Sequence, residues 1–225
     1  MSVSENIVSL KARIADACRR AGRRAEEVTV VAVTKGFAAS DVEEAFDAGI
    51  RDFGENRLQE AEPKARAVRR SGLNWHFMGR IQSNKLAKIL DAFGWVQSFA
   101  DADSLRRAEK HLAAVGESRN ALVQVNISGE SSKGGFSYEE AGKFFADGAF
   151  DFPHLKLRGL MGIGPLTDDR EAVRRSFREF RRFFEKVKVH GLDVLSMGMS
   201  GDFEIAVEEG STMLRVGTAI FGERK

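Results

Sequence analysis

Lys35 is the residue of this chain best placed to do chemistry. It follows the β-branched apolar run VTVVAVT (28–34) and opens the segment KGFAAS. A lysine held at a strand end against apolar neighbours loses hydration, which favours the neutral amine. A neutral amine attacks an aldehyde and forms a Schiff base. The plain alternative is a lysine that ends a strand and reaches into solvent. Two later segments, SMGMSGD (196–202) and VGTAIFG (216–222), are rich in small residues. Their backbone N–H groups can approach an anion, and a helix beginning after the first adds positive potential. Gly217 and Thr218 occupy the second segment, and each segment alone also reads as an ordinary glycine turn. Arg215, inside the apolar run MLRVG, needs a partner because burying a lone charge is costly. That partner is either a ligand or a carboxylate such as Glu55. His76, in NWHFMG, has the chemistry of a base or a ligand, although a lone strand histidine is more often a bonded core residue. Lys133, in GESSKGGF (129–136), is either an anion contact or solvated.

These residues need elements to carry them. Ile7, Leu10, Ile14, Ala17 and Ala21 recur every three or four positions and predict an N-terminal helix ending near Gly22. After it, strands and helices alternate. Strand signals lie at 28–34, 52–56, 74–79, 95–99, 121–127, 155–163, 194–198 and 212–217. Helix signals lie between them at 41–49 (with Ser40 as cap), 57–70, 83–92, 103–115, 137–149, 169–190 and 203–209. Eight such units predict a single (β/α)8 barrel, a TIM barrel with an extra N-terminal helix, spanning 1–225 as one domain. The rival is an open doubly wound sheet, but its usual GxGxxG after the first strand is missing. In a barrel the active site lies at the C-terminal ends of the strands. Those positions here are Lys35, Asn56, the stretch from His76 to Gly79, Gln97, Ser98, Asn126, Met161, Ser200, Gly217 and Thr218. The helix at 169–190 interleaves its arginines with Glu171, Glu179 and Glu185, which predicts a solvated face, while Phe177, Phe180, Phe184 and Val187 dock on a core.

Composition narrows the classes. Lys plus Arg is 35 and Asp plus Glu is 33, giving a net charge of +2, with 43% apolar residues. That balance excludes disorder and argues against a dedicated nucleic-acid binder. Cys18 is the one cysteine, so no intramolecular disulfide or four-cysteine zinc site can form. No HxH, HExxH or carboxylate cluster suggests a metal. The start, MSVSENIVSL, lacks a signal-peptide pattern, and no apolar run is long enough to cross a bilayer. A cytoplasmic protein without nucleic-acid or membrane partners is expected.

Several segments together resemble a known family. AVTKG, FGEN, WHFMGRIQSNK, VNISGESSKGGF, RGLMGI and SMGMSGDFEIAVEEGSTMLRVGTAIFG are similar to the pyridoxal phosphate homeostasis proteins, the YggS/PROSC-like family. The likeness runs over nearly the whole chain in order. It implies a single barrel like the N-terminal domain of alanine racemase, of the fold-type III class of pyridoxal phosphate (PLP) proteins. It further implies that Lys35 holds PLP as an internal aldimine and that Ser200, Gly217 and Thr218 bind its phosphate. Arg215 would face the pyridine nitrogen, and Asn56 would lie near the ring. An arginine there keeps that nitrogen unprotonated and weakens the ring as an electron sink. Many members read SKTxP around the lysine where this chain reads TKGFAAS; the lysine is kept.

Two functions compete on this basis. One is PLP binding and homeostasis with no dedicated turnover and no catalytic residues. The other is an amino-acid racemase, which needs an acid/base on each face of the bound cofactor. In alanine racemase one of these is a tyrosine from a further β domain and the neighbouring subunit. The last strand signal here ends a few residues before Lys225, and Tyr138 is the one tyrosine, so the carrier reading is preferred. A Schiff-base aldolase acting on a phosphorylated sugar would use the same lysine and anion loops. PLP itself and PLP-dependent apoenzymes are the expected partners, and a monomer is expected.

Overall fold

Eight parallel strands close on themselves in sequence order. They are β1 (Thr29–Val33), β2 (Asp52–Glu55), β3 (Asn74–Phe77), β4 (Trp95–Phe99), β5 (Arg119–Val125), β6 (Leu155–Gly162), β7 (Val194–Ser196) and β8 (Met213–Val216). Closure is made by β1 on β8, with Thr29 opposite Met213 and Val31 opposite Arg215. This computed structural model describes residues 2–130, 133–147, 152–188 and 191–223. The helices are α1 (Val3–Arg20), α2 (Ala39–Asp47), α3 (Leu58–Ala67), α4 (Leu86–Ala92), α5 (Ala102–Val115), α6 (Tyr138–Ala146), α7 (Arg170–Val187), α8 (Phe203–Glu208) and α9 (Thr218–Phe221). None among the described residues is long and apolar enough to cross a membrane. The chain is thus the (β/α)8 barrel that the alternating pattern predicts, and the doubly wound sheet is excluded.

Side chains leave each strand in alternation for two separate cores. Ala32, Ala121, Val123, Leu160, Leu195, Leu214 and Val216 join the large core between strands and helices. Their neighbours Val31, Leu122, Met161, Val194 and Met213 form a second, smaller cluster with Met78, Trp95 and Ile163 against it. That smaller cluster fills the barrel lumen. Burial on both faces is why parallel-barrel strands read as continuous apolar runs.

The added helix α1 has a reciprocal cap, with Glu5 N–H on Ser2 Oγ (3.2 Å) and Ser2 N–H on Glu5 Oε2 (2.8 Å). It buries Ile7, Leu10, Ile14 and Ala17. Its Asn6 Nδ2 donates to Ile220 O at 2.8 Å, so α1 braces the segment just past β8.

Several boundaries differ from the sequence reading. Ser40 lies inside α2, and it is Asp41 Oδ2 that accepts the Ala38 N–H, at 2.7 Å. The helix expected over 57–70 stops at Ala67 because Val68 leaves the helix and buries in the core. β7 ends at Ser196. Two residues on, Gly198 turns at φ +97°, and a Cβ there would lie 2.5 Å from Ala206 Cβ. The left-handed backbone at Gly198 breaks the extended run, and α8 packs too close there for a side chain. α9, one turn long, is too short for periodicity to reveal. On α7, Arg174 and Arg178 bond Glu208 and Glu209 and lock α7 onto α8, so this face is only partly the solvated one expected. Residues 148–149 and 189–190 of the expected helices, and 131–132 of the loop at 129–136, lie outside the described residues.

Candidate cofactor site at the barrel mouth

Lys35, Asn56, Ser200, Arg215, Gly217 and Thr218 line one cavity of about 390 Å³ at the C-terminal ends of the strands. Met78, Met161 and Ile163 form apolar wall, with Phe37 on the β1 side packed on Phe221 at a centroid distance of 4.8 Å. The six candidates come from the ends of β1, β2, β7 and β8, so the closure of the barrel is what brings them together.

The backbone on either side of Lys35 is pinned. Thr34 N–H donates to Gly54 O at 2.9 Å, and Thr34 O accepts from Lys64 Nζ at 2.7 Å. Gly36 N–H donates to Glu60 Oε2 at 3.2 Å. The side chain between them is half-buried in the cavity, less desolvated than the strand-end argument assumed. Glu55, fully buried, takes the Thr34 hydroxyl at 2.5 Å and is ion-paired with Lys64. Glu55 is therefore not the partner of Arg215, although it is the carboxylate the sequence suggests for that place.

Arg215 points the other way, into the lumen. Its Nη1 donates to Ser196 Oγ at 2.8 Å and its Nη2 to Gly162 O at 2.9 Å. It is 5% exposed. Burial pushes its pKa down to about 10, against the raising effect of Asp202, so it stays charged at neutral pH. Burial in turn pushes the Asp202 carboxyl up, while its bond from Met199 N–H works against this.

Past the ends of β7 and β8, the Ser200 hydroxyl oxygen accepts from Gly217 N–H and from Ala219 N–H, both at 3.2 Å. Two backbone donors and a hydroxyl thus converge at one point. This is the donor set an oxyanion takes, and it comes from the loops after strands seven and eight, where barrel phosphate sites are commonly built. Asn56 Oδ1 is buried with no hydrogen-bond partner. Its backbone is held from above: a Cβ on Gly79 would sit 2.0 Å from Asn56 O, and Ser98 Oγ fixes Gly79 O at 2.7 Å. A group offering an aldehyde, a polar aromatic ring and a phosphate would meet an amine, an unmatched acceptor, a cation and anion donors here. The residues present therefore fit PLP.

Other strand-end candidates fall elsewhere. His76 is fully buried in the lumen, bonded to Asp52 and Gln97 and stacked on Trp95 at 5.2 Å. Burial pushes its pKa down, so it is neutral, and its contact with Asp52 is a hydrogen bond and not an ion pair. It does not line the cavity, and neither does Gln97. Asn126 closes its own loop onto Glu130 O and Lys133 O. Lys133 Nζ donates to Glu130 Oε1 at 2.6 Å and Gly164 O at 3.0 Å, so it braces a neighbouring loop. Tyr138 opens α6, packs edge-on against Phe183, and has its pKa pushed up by burial. The sequence reading missed Phe37, Ser196 and Asp202. For Ser196 a signal existed: it lies two residues after Val194, on the lumen side of β7.

Comparison with known proteins shows the family and the fold of the chain. The family model described as alanine racemase, N-terminal domain, matches residues 8–225. A pyridoxal phosphate homeostasis protein of Pseudomonas aeruginosa is 43% identical over 223 residues, covering 99% of this chain and 96% of its own length. The Escherichia coli protein of the same name is 39% identical over 99% of this chain and 97% of its own. The structure of PipY from Synechococcus elongatus with PLP bound is 30% identical, covers 98% of this chain and 100% of its own, and superposes with a TM-score of 0.86. Alanine racemase of Clostridium difficile, at 12% identity and a TM-score of 0.74 over 99% of this chain and 56% of its own, shares the fold alone. The chain belongs to the pyridoxal phosphate homeostasis family, built on the alanine racemase N-terminal domain.

Proposed function

We propose that this chain binds pyridoxal 5′-phosphate at the barrel mouth and serves PLP homeostasis in the cytoplasm as a single-domain carrier without a dedicated turnover reaction. The observation that carries the reading is that Lys35 shares one cavity with Ser200, Gly217 and Thr218, where the Ser200 hydroxyl gathers the Gly217 and Ala219 N–H groups. Lys35 would hold the cofactor, its amine condensing with the aldehyde with loss of water. Ser200, Gly217 and Thr218 would take the phosphate, Asn56 would lie beside the ring, and Arg215 would face the ring nitrogen. A permanent cation there disfavours protonation of that nitrogen, so the ring draws electrons weakly. That suits holding PLP better than stabilising a carbanion. Apoenzymes that need PLP are the partners this role calls for.

The racemase reading lacks support in the cavity. Two-base racemisation needs a proton donor on the face opposite Lys35. The sequence offered Tyr138 and His76 for that task, and neither lines the cavity.

The test is chemical. Protein loaded with PLP and reduced with borohydride should carry the pyridoxyl adduct on Lys35 by peptide mass spectrometry. Lys35→Ala should show neither the adduct nor the visible absorbance band, with an unchanged circular dichroism spectrum. An adduct mainly on Lys85 or Lys133 would sink the assignment. Chiral chromatography of alanine incubated with the same two preparations separates carrier from enzyme. Turnover of about 1 s⁻¹ or more that is lost in Lys35→Ala would make the protein a racemase.

A further inference from the structure

Beneath the cavity, the lumen holds a line of bonded side chains that reaches Arg215. Arg215 Nη1 donates to Ser196 Oγ at 2.8 Å, and the Ser196 hydroxyl donates to Gln97 Oε1 at 2.8 Å. Gln97 Nε2 donates to His76 Nδ1 at 2.9 Å, and His76 Nε2–H donates to Asp52 Oδ1 at 2.9 Å. Every bond runs the same way, from a cation on β8 to a carboxylate on β2. His76, Gln97 and Ser196 are buried, and Asp52 keeps partial access to solvent.

This directionality is forced. A neutral imidazole has one donor and one acceptor. The Asp52 carboxylate accepts only, so it claims the Nε2–H and leaves Nδ1 as acceptor. Nδ1 then requires the amide N–H₂ of Gln97, which turns the amide oxygen toward Ser196. The Ser196 hydroxyl gives its one proton to that oxygen, so what it offers Arg215 is a lone pair. Reversing the Gln97 amide would place its oxygen against the bare Nδ1. Each bond in such a chain polarises the next in the same direction.

We propose that Asp52, His76, Gln97 and Ser196 form a positioning relay for Arg215. The relay fixes Ser196 as an acceptor. Ser196 and Gly162 O then hold two guanidinium nitrogens, and the guanidinium is set in one orientation against the cofactor's ring. The proposal rests on the functional reading above, in which Arg215 faces the ring nitrogen. His76 and Gln97 act only through Arg215 and touch no cofactor.

The experiment uses PLP labelled with ¹⁵N at the ring nitrogen, whose chemical shift reports its hydrogen bonding and protonation. Gln97→Met keeps the side chain's length and removes both relay bonds. It should move the ring-nitrogen shift and the visible band, and weaken PLP roughly tenfold, the scale of one lost hydrogen bond to a charged group. His76→Leu should act alike. His76→Asn, whose Oδ1 can replace Nδ1 as acceptor, should restore the wild-type spectrum. In an Arg215→Met background, Gln97→Met should add nothing, because the relay has lost its target. A purely structural role would not produce this pattern of rescue and non-additivity. Should Gln97→Met fail to fold, the His76→Leu and His76→Asn pair decides the same question. A wild-type ring-nitrogen shift in Gln97→Met, or an equal displacement with and without Arg215, overturns the relay. The functional reading fails separately, if wild-type protein takes up no labelled PLP or if Arg215→Met leaves the ring signal unmoved.

Discussion

The two ends of the barrel lumen treat their polar groups in opposite ways. Toward the floor, Asp52, His76, Gln97 and Ser196 are each bonded to the next. At the mouth, Asn56 Oδ1 is buried without a partner, and Gly217 and Ala219 N–H share a single hydroxyl oxygen at 3.2 Å. A buried polar atom left unpaired costs roughly 1–3 kcal/mol. Among the described residues, the lumen leaves such an atom only at Asn56, which lines the cavity. The lesson is about how to find a site: a closed network marks support, and an incomplete one marks the place where something binds. Glu55 Oε2 and Tyr138 Oη are also without partners, but both lie outside the lumen.

The largest loss is expected outside the lumen, where a buried ion pair can be left with one partner. Lys64 is 7% exposed and pairs with Glu55, which is fully buried. Lys64→Met would leave a buried carboxylate facing only the Thr34 hydroxyl. Removing one partner of a buried pair costs about 3–5 kcal/mol. In a chain of this size that lowers the melting temperature by roughly 10 °C. Calorimetry on Lys64→Met and on Glu55→Gln/Lys64→Met should show the double variant recovering part of the loss. A single variant as stable as wild type would mean that Lys64 does not offset the burial of Glu55.

How much of this was legible beforehand follows from the same physics. The eight strands could be read because parallel-barrel strands are buried on both faces, so VTVVAVT or ALVQVNI stands out as an unbroken apolar run. Lys35, Gly217 and Thr218 could be read because they end such runs. The floor network could not. Whether His76 meets Gln97 depends on the stagger between β3 and β4, where His76 lies opposite Trp95, and residue types do not fix stagger. Nor did the sequence decide where Glu55 points. It lies next to Gly54, whose backbone is approached by Met78, and side chains alternate along β2, so the question is one of parity. Spacing alone left Glu55 and Arg215 as candidate partners, although they leave their strands for different cores.

A smaller effect is expected where the mouth is shaped by backbone. Gly79 has room for no side chain: a Cβ would lie 2.0 Å from Asn56 O and 2.7 Å from Asn56 C. Gly79→Ala forces the two loops apart. Overpacking of this kind costs about 1–3 kcal/mol, and backbone atoms yield less readily than side-chain tips, so the upper part of that range is expected. Because the displaced residue is Asn56, PLP affinity should fall together with stability. Denaturant melts and spectrophotometric PLP titrations on the same preparation check both. Lost stability with unchanged affinity would place Asn56 away from the ring and weaken its part in the mouth.

The smallest change sharpens the contrast, because it removes a mouth group that the fold hardly needs. In Ser200→Ala the Gly217 and Ala219 N–H groups lose the hydroxyl oxygen they share, yet they sit at the half-buried rim of the cavity where water replaces it. Stability should therefore change little. PLP should bind more weakly, since a hydrogen bond to a charged group contributes about 1.5 kcal/mol or more, roughly tenfold in affinity. Pyridoxal has the same aldehyde and ring but no phosphate, so its affinity should scarcely move. Thr218→Val, at the exposed edge of the cavity, should show the same selectivity with a smaller loss. Fluorescence titrations of both ligands against wild type and the two variants give the ratio directly. Equal losses for PLP and pyridoxal would move these side chains away from the phosphate. A large stability loss in Ser200→Ala would make Ser200 part of the closed framework and erase the distinction between floor and mouth at that residue.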